Sequence, residues 1–174
     1  MSENEDEATN VVPLNPKQHP QATLKVLDQK WGKETMEANY TVLPSALLRG
    51  QARLGINATE LAVLVHLIDH WWKADEMPWP SKRTLADRLR VGEKTIQRAI
   101  AHLEEEGLIK RTPRFSKKTG ARTSNEYDLK PLVERLKPIA QDQVQAAKEA
   151  RAIKKKAEKP GLKRRSSAKK AASE

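Results

Sequence analysis

The sequence predicts a mainly α-helical fold with one small β-hairpin, flanked by a disordered N-terminal arm and a helical, basic C-terminal extension. Three observations carry this expectation. Apolar residues recur at helical spacing in consecutive segments between Asn57 and Glu106. Two strand-like runs, LIKRTPRF and TSNEYDL, bracket the polar tip SKKTGAR. The first 35 residues or so are polar, carry prolines at 13, 16 and 20, and hold neither period. The expected organisation is an arm over residues 1–36, a domain over 37–136 and an extension over 137–174, helical at first and then a basic tail.

Composition narrows the function classes. Of 174 residues, 37% are apolar, 4% aromatic and 32% charged, a balance that cannot fill a globule of that length. A core domain of roughly 90–100 residues with solvated ends is expected. The net charge of +10 favours a polyanionic partner, whether DNA, RNA or acidic lipid. Without cysteine there are no disulfides, thiolate zinc sites or cysteine nucleophiles. No apolar run approaches the roughly 20 residues of a membrane span. The acidic start, MSENEDEATN, is the opposite of a secretory leader. These features predict a soluble, cytoplasmic chain with no membrane partner. The acidic start reads as an aid to solubility, or alternatively as a phosphate mimic that screens the basic surface.

Regular structure is expected to begin between Trp31 and Tyr40, with a short helix after Pro44 that Ser45 can cap. Asn57 to about Lys73 reads as a strong helix. Asn57 can cap it, and Glu60 can close a capping box. Leu61, Leu64, Val65, Ile68, Trp71 and Trp72 share a face that Val63 and Leu67 widen. That face can serve the domain core or a homodimer seam. The prolines of DEMPWP end the segment. Ser81 suits the N-cap of a short helix, KRTLADRLR, with Leu85 and Leu89 inward. Val91 and Gly92 form a turn in which glycine permits tight reversal. In EKTIQRAIAHLEEE, Ile96, Ala99, Ile100 and Leu103 face inward, whereas Lys94, Gln97, Arg98 and Ala101 face outward. Gly107 fits the left-handed closing position, and Leu108 can then touch Leu103. In the hairpin, Pro113 must stand at an edge or a bulge. From Pro131 to about Glu158 the chain favours helix, with Leu132, Val133, Leu136 and Ile139 able to pack back.

A helix, a tight turn, a second helix and a basic hairpin suit a DNA major groove about 12 Å wide, which admits one helix. Arg98 and Lys94 can donate to guanine O6 and N7, and Gln97 can pair with adenine. Glu93 can accept from cytosine N4, or repel phosphate and so narrow the docking poses. Thr95 and Ser81 suit phosphate contacts. Lys82 and Arg83 start a helix, where backbone N–H groups and charge together favour phosphate. Arg111, Arg114, Lys117, Lys118 and Arg122 make the hairpin basic. Glu104, Glu105 and Glu106 stand at the end expected to point away from DNA.

The stretch PSKRTLADRLRVGEKTIQRAIAHLEEEGLIKR, closed by SNEYDL, resembles winged helix-turn-helix DNA-binding proteins of bacteria, phages and plasmids, among them transcription regulators and replication initiators. The resemblance spans about Pro80 to Leu129 and extends toward Tyr40. It implies a three-helix core with a β-wing, and recognition by the helix that begins near Gly92. The chain departs from the pattern at Gly92 and Glu93, where many such families carry Ser or Thr and a basic residue. The leading expectation is sequence-specific binding of double-stranded DNA by a transcriptional regulator of a bacterial or mobile genetic element. The alternatives are a plasmid or phage replication-initiation protein, and a DNA- or RNA-tethering adaptor. A protein partner would use the C-terminal extension.

Other constellations point less far. His66 and His70 stand four apart but lack a third metal ligand, and read as an exposed polar stripe. Trp71, Trp72 and Trp79 are expected to close the core; stacking on exposed bases is the alternative that such rings allow. There is no GxxxxGK[ST] or GxGxxG loop and no recognisable Ser/His/Asp set, so neither an enzyme nor a cofactor is expected.

Overall fold

The computed structural model of the chain describes residues 20–116 and 118–157. The expectations placed on residues 1–19, on Lys117 and on the tail from 158 onward lie outside them. Two compact units divide between Thr41 and Val42.

Over residues 20–36 the first unit corrects the expectation of a disordered arm. Helix α1 runs Pro20–Trp31 and α2 runs Lys33–Glu37. The physical reason is local. Pro20 opens α1 with its φ already fixed, and Leu, Lys, Gln and Ala then dominate the segment. Gly32 ends it at φ 83°, where its N–H donates to the Asp28 carbonyl at 2.9 Å. Mean composition hides a segment this short.

The second unit holds α3 (Ser45–Arg49), a 3-10 turn (Gln51–Leu54), α4 (Ala58–Asp69), α5 (Lys82–Leu89) and α6 (Glu93–Glu105). Strands β1 (Lys110–Phe115) and β2 (Arg122–Asp128) follow, then α7 (Lys130–Ala157). Ser45 begins α3 rather than capping it; the cap position is Pro44, which has no side-chain acceptor.

Helix α4 starts with the expected capping box. The Asn57 side chain accepts from the Glu60 N–H at 3.0 Å, and Glu60 accepts from the Asn57 N–H at 2.8 Å. Glu60, Val63, Leu64 and Leu67 form the buried stripe, so the seam is rotated from the expected one, with Leu61 and Ile68 at its margins. This face is covered within the domain. The helix also ends at Asp69, about a turn earlier than its apolar run suggests. The end is closed by side chains: His70 Nδ1 lies 2.8 Å from the His66 carbonyl oxygen, and Trp72 Nε1 donates to the Asp69 carbonyl at 2.7 Å. The last-turn carbonyls thereby gain partners without another turn of helix.

The Schellman close of α6 forms as expected. Gly107, at φ 65°, donates to the Glu104 carbonyl at 3.1 Å, and the Leu108 N–H donates to Leu103 at 2.9 Å. Leu103 and Leu108 are fully buried, so the motif also ties the helix end into the core. The antiparallel strands pair Lys110 with Asp128, Arg111 with Tyr127, Thr112 with Glu126 and Pro113 with Asn125, then shift register to pair Phe115 with Arg122. The shift follows Pro113, which has no N–H to give the ladder. The Thr123 hydroxyl donates to the Arg114 carbonyl at 3.1 Å across the irregularity. Tyr127 is fully buried, and its N–H donates to the Pro78 carbonyl at 2.9 Å. The loop between α4 and α5 is thereby fastened to β2.

Helix α7 opens with the Asp128 carboxylate accepting from the Lys130 N–H at 2.9 Å. Leu132, Leu136 and Ile139 are buried, whereas Val133 is exposed, contrary to expectation. Packing continues past residue 136, because Arg53 pairs with Asp142 at 2.8 Å. From Val144 to Ala157 the side chains are exposed. No helix among the described residues is long and apolar enough to cross a membrane.

Gly50 is where α3 meets α7. A Cβ there would stand 2.6 Å from the Ala46 carbonyl oxygen and 2.8 Å from Ile139 Cγ2. Gly50→Ala is therefore expected to destabilise the fold by about 1–3 kcal/mol through overpacking. Thermal melting checks this, and an unchanged melting point would contradict the close approach.

Candidate nucleic-acid interface

Helix α5 is capped by Ser81, whose hydroxyl accepts from the Thr84 N–H at 3.0 Å. The turn to α6 is made by Arg90, at φ 52°, with the Val91 N–H donating to the Ala86 carbonyl at 3.1 Å. This corrects the role expected of Gly92. That residue has φ −69° and ψ 149°, open to any side chain, and a Cβ there would meet nothing within 4 Å. Gly92 occupies the α6 N-cap without supplying a capping group, so the first N–H groups of α6 have no side-chain acceptor there.

Helix α6 presents two distinct faces. Ile96, Ala99, Ile100 and Leu103 are buried, whereas Lys94, Thr95, Gln97, Arg98 and Ala101 are exposed. At its start Glu93 enters a hollow of about 450 Å³, shared with Ser81, Lys82 and Arg83 of α5 and with Arg122, Thr123, Ser124, Asn125 and Tyr127 of β2. Three cationic side chains and the N-terminus of α5 thus border one concavity. Such a border suits phosphate, with Glu93 as the opposing charge.

Several expected contacts are not brought to this hollow. Arg111 is held at the other end of α6, where its guanidinium lies 2.9 Å from Glu104 Oε2 and its N–H donates to Glu104 Oε1 at 3.2 Å. Arg114 lies over the Trp79 ring, 4.8 Å from its centroid, and 3.6 Å from Glu126. Lys118 is exposed at the hairpin tip, in a turn where the Ser116 hydroxyl accepts from the Lys118 and Thr119 N–H groups. Lys117 lies outside the described residues. Sequence reading missed Thr123, Ser124 and Asn125, although their place directly after the basic Arg122 on β2 was a usable signal.

The tryptophans also depart from expectation. Trp71 packs partly buried against the core, but Trp72 is 83% exposed and Trp79 48%. The early end of α4 turns Trp72 out of the helical face, and Pro78 and Pro80, both buried, take the inner positions beside Trp79.

His66 and His70 are part-buried rather than an exposed stripe. Among the described residues, no group of three or more His, Asp or Glu side chains could hold a metal ion. Burial, with Arg88 nearby adding repulsion, holds the His66 imidazole below its ordinary value of 6.5, against the pull of Asp69. The unfolded chain then takes up this proton more readily than the folded one. The contribution to stability is present above pH 6.5 and is lost as pH falls toward the depressed folded value. His66→Gln is expected to flatten the decline in melting temperature between neutral and mildly acid pH. A parallel decline in wild type and variant would contradict this.

With this geometry in place, the chain can be set beside known proteins. Residues 54–109 match the model of a helix-turn-helix domain family. The fold is a winged helix-turn-helix. In it α4, α5 and α6 are the three helices and β1–β2 the wing. Similar solved structures include the N-terminal domain of DnaD protein from Geobacillus kaustophilus HTA426, with 21% identity, a TM-score of 0.45, and coverage of 76% of this chain and 98% of that one. A MarR-family transcriptional regulator from Rhodococcus sp. RHA1 shares 21% identity, with a TM-score of 0.38 and coverage of 75% and 79%. MepR from S. aureus, solved as a DNA complex, shares 15% identity, with a TM-score of 0.38 and coverage of 77% and 94%. No curated protein matches the chain.

Proposed function

We propose that this winged helix-turn-helix protein binds double-stranded DNA in a sequence-specific way and acts as a transcriptional regulator of a bacterial or mobile genetic element. The observation that carries the reading is the outer face of α6. Lys94, Thr95, Gln97 and Arg98 stand exposed on a helix whose opposite face is buried. A helix about 10–12 Å across fits a major groove about 12 Å wide. In that pose Lys82, Arg83 and Arg122 border the flanking phosphates, which fix register without reading sequence. Arg98 and Lys94 read guanine, and Gln97 reads adenine. Arg111 serves a different purpose in this reading: it ties the wing to α6 through Glu104.

Selection of bound sequences from a random duplex library at near-physiological salt tests the proposal. A single recovered motif supports it, and an inverted repeat adds a homodimer. Binding with no motif that collapses as salt rises would leave a tether driven by counterion release, and would sink the specific reading.

A second reading is a replication-initiation or adaptor protein that engages a protein partner through α7. It is favoured by the exposed stretch Val144–Ala157. The discriminating truncation falls after Gln143, because a cut at Leu136 would remove the buried Ile139 and the Arg53–Asp142 pair. A regulator shortened there keeps its activity apart from some affinity, whereas an initiator or adaptor keeps DNA and loses its partner.

A further inference from the structure

Trp72 and Trp79 line one hollow of about 520 Å³ together with His70, Pro80, Thr84 and Arg114. Single exposed apolar residues are ordinary, but two indoles facing one hollow beside a guanidinium are not a usual surface. Trp72 is oriented by its bond to the Asp69 carbonyl at 2.7 Å. Trp79 follows the buried Pro78 and has Arg114 over its ring at 4.8 Å. The aromatic faces are therefore oriented before any ligand arrives, which lowers the entropy lost on binding.

The position of the hollow says what fits it. Ser81 and Ser124 line both this hollow and the one bordered by Lys82, Arg83 and Arg122. A nucleic-acid backbone held at the cationic border reaches the tryptophans without leaving the protein. Flat π faces with a cationic edge suit a base, and only an unpaired base has its faces free.

We infer that Trp72 and Trp79 form a stacking platform for unpaired bases of DNA that flank the duplex held by α6, so that the protein prefers a duplex to single-strand junction over a blunt duplex. The inference rests on the duplex-binding reading above.

The test compares full-length protein on three probes: a blunt duplex, the same duplex with a short oligothymidine overhang, and that duplex with an overhang of abasic residues. The abasic probe keeps the phosphates and removes the bases. The thymidine overhang is expected to tighten binding about tenfold and to quench tryptophan fluorescence. The abasic overhang should give no such gain. Trp72→Ala with Trp79→Ala should lose the gain while keeping blunt-duplex affinity, and the paired Phe substitutions should restore it. No gain from the thymidine overhang, an equal gain from the abasic one, or a gain that survives in the Ala variant would each overturn the platform. Failure of the duplex reading looks different: blunt duplex would not bind, yet oligothymidine alone would still quench the wild-type protein and not bind the Ala variant.

Discussion

Replacing Tyr127 with Ala is expected to remove about 3–5 kcal/mol of folding stability. Tyr127 is a large, fully buried side chain on β2. Its backbone N–H holds the α4–α5 loop through the Pro78 carbonyl. Burial raises its phenol above the ordinary value, against the opposing influence of Asn125, in keeping with an interior position. Truncation leaves a cavity where wing, loop and helices meet. Domains of this size have about 5–15 kcal/mol in total, so the variant stands near the edge of folding. Tyr127→Phe keeps the ring and should lose only about 1 kcal/mol. Urea denaturation reads both. A loss below about 1 kcal/mol for the Ala variant would show that the ring does not anchor the hairpin.

The second large effect is on binding. Lys94→Glu with Arg98→Glu is expected to lower duplex affinity by about two to four orders of magnitude, from two lost base contacts of about 1–3 kcal/mol each. Both residues are exposed, so thermal stability should change by no more than about 0.5 kcal/mol. The milder Arg98→Ala should relax preference at one base position. Titration of labelled duplex at fixed salt measures all three proteins. Undiminished affinity in the double reversal would take α6 out of the groove and leave Lys82, Arg83 and Arg122 as a general phosphate surface.

What was legible in the sequence was mostly local. The capping box at Asn57, the Ser81 cap and the Schellman close at Gly107 each depend on residues within a turn of one another, and each forms as read. The inward face of α6 was legible for the same reason. Properties that depend on partners distant in sequence were not. Arg111 and Arg114 look like free wing cations until Glu104, Glu126 and Trp79 are placed beside them. The orientation of Trp72 turns on α4 stopping at Asp69, and apolar periodicity has no term for that. Intrinsic preference puts the tight reversal at Val91 and Gly92, yet Arg90 is the residue that takes the left-handed conformation there. Pro78 and Pro80 are buried while Trp79 between them is exposed, an alternation along the loop that helical apolar spacing does not register.

The far half of α7 has a consequence for how this chain can vary. Its orientation is set near the domain by Leu132, Leu136, Ile139 and the Arg53–Asp142 pair, and from Val144 to Ala157 every side chain is exposed. Amino acids there can drift with little effect on folding, but insertions act as a phase shift. One added residue turns everything beyond it by about 100° and advances it about 1.5 Å, whereas seven restore nearly the same bearing about 10 Å farther out. Lys154, Lys155 and Lys156 at its end are thus delivered on a compass heading fixed by helical pitch. Length variants across this segment should therefore be tolerated periodically, not uniformly, wherever that heading matters.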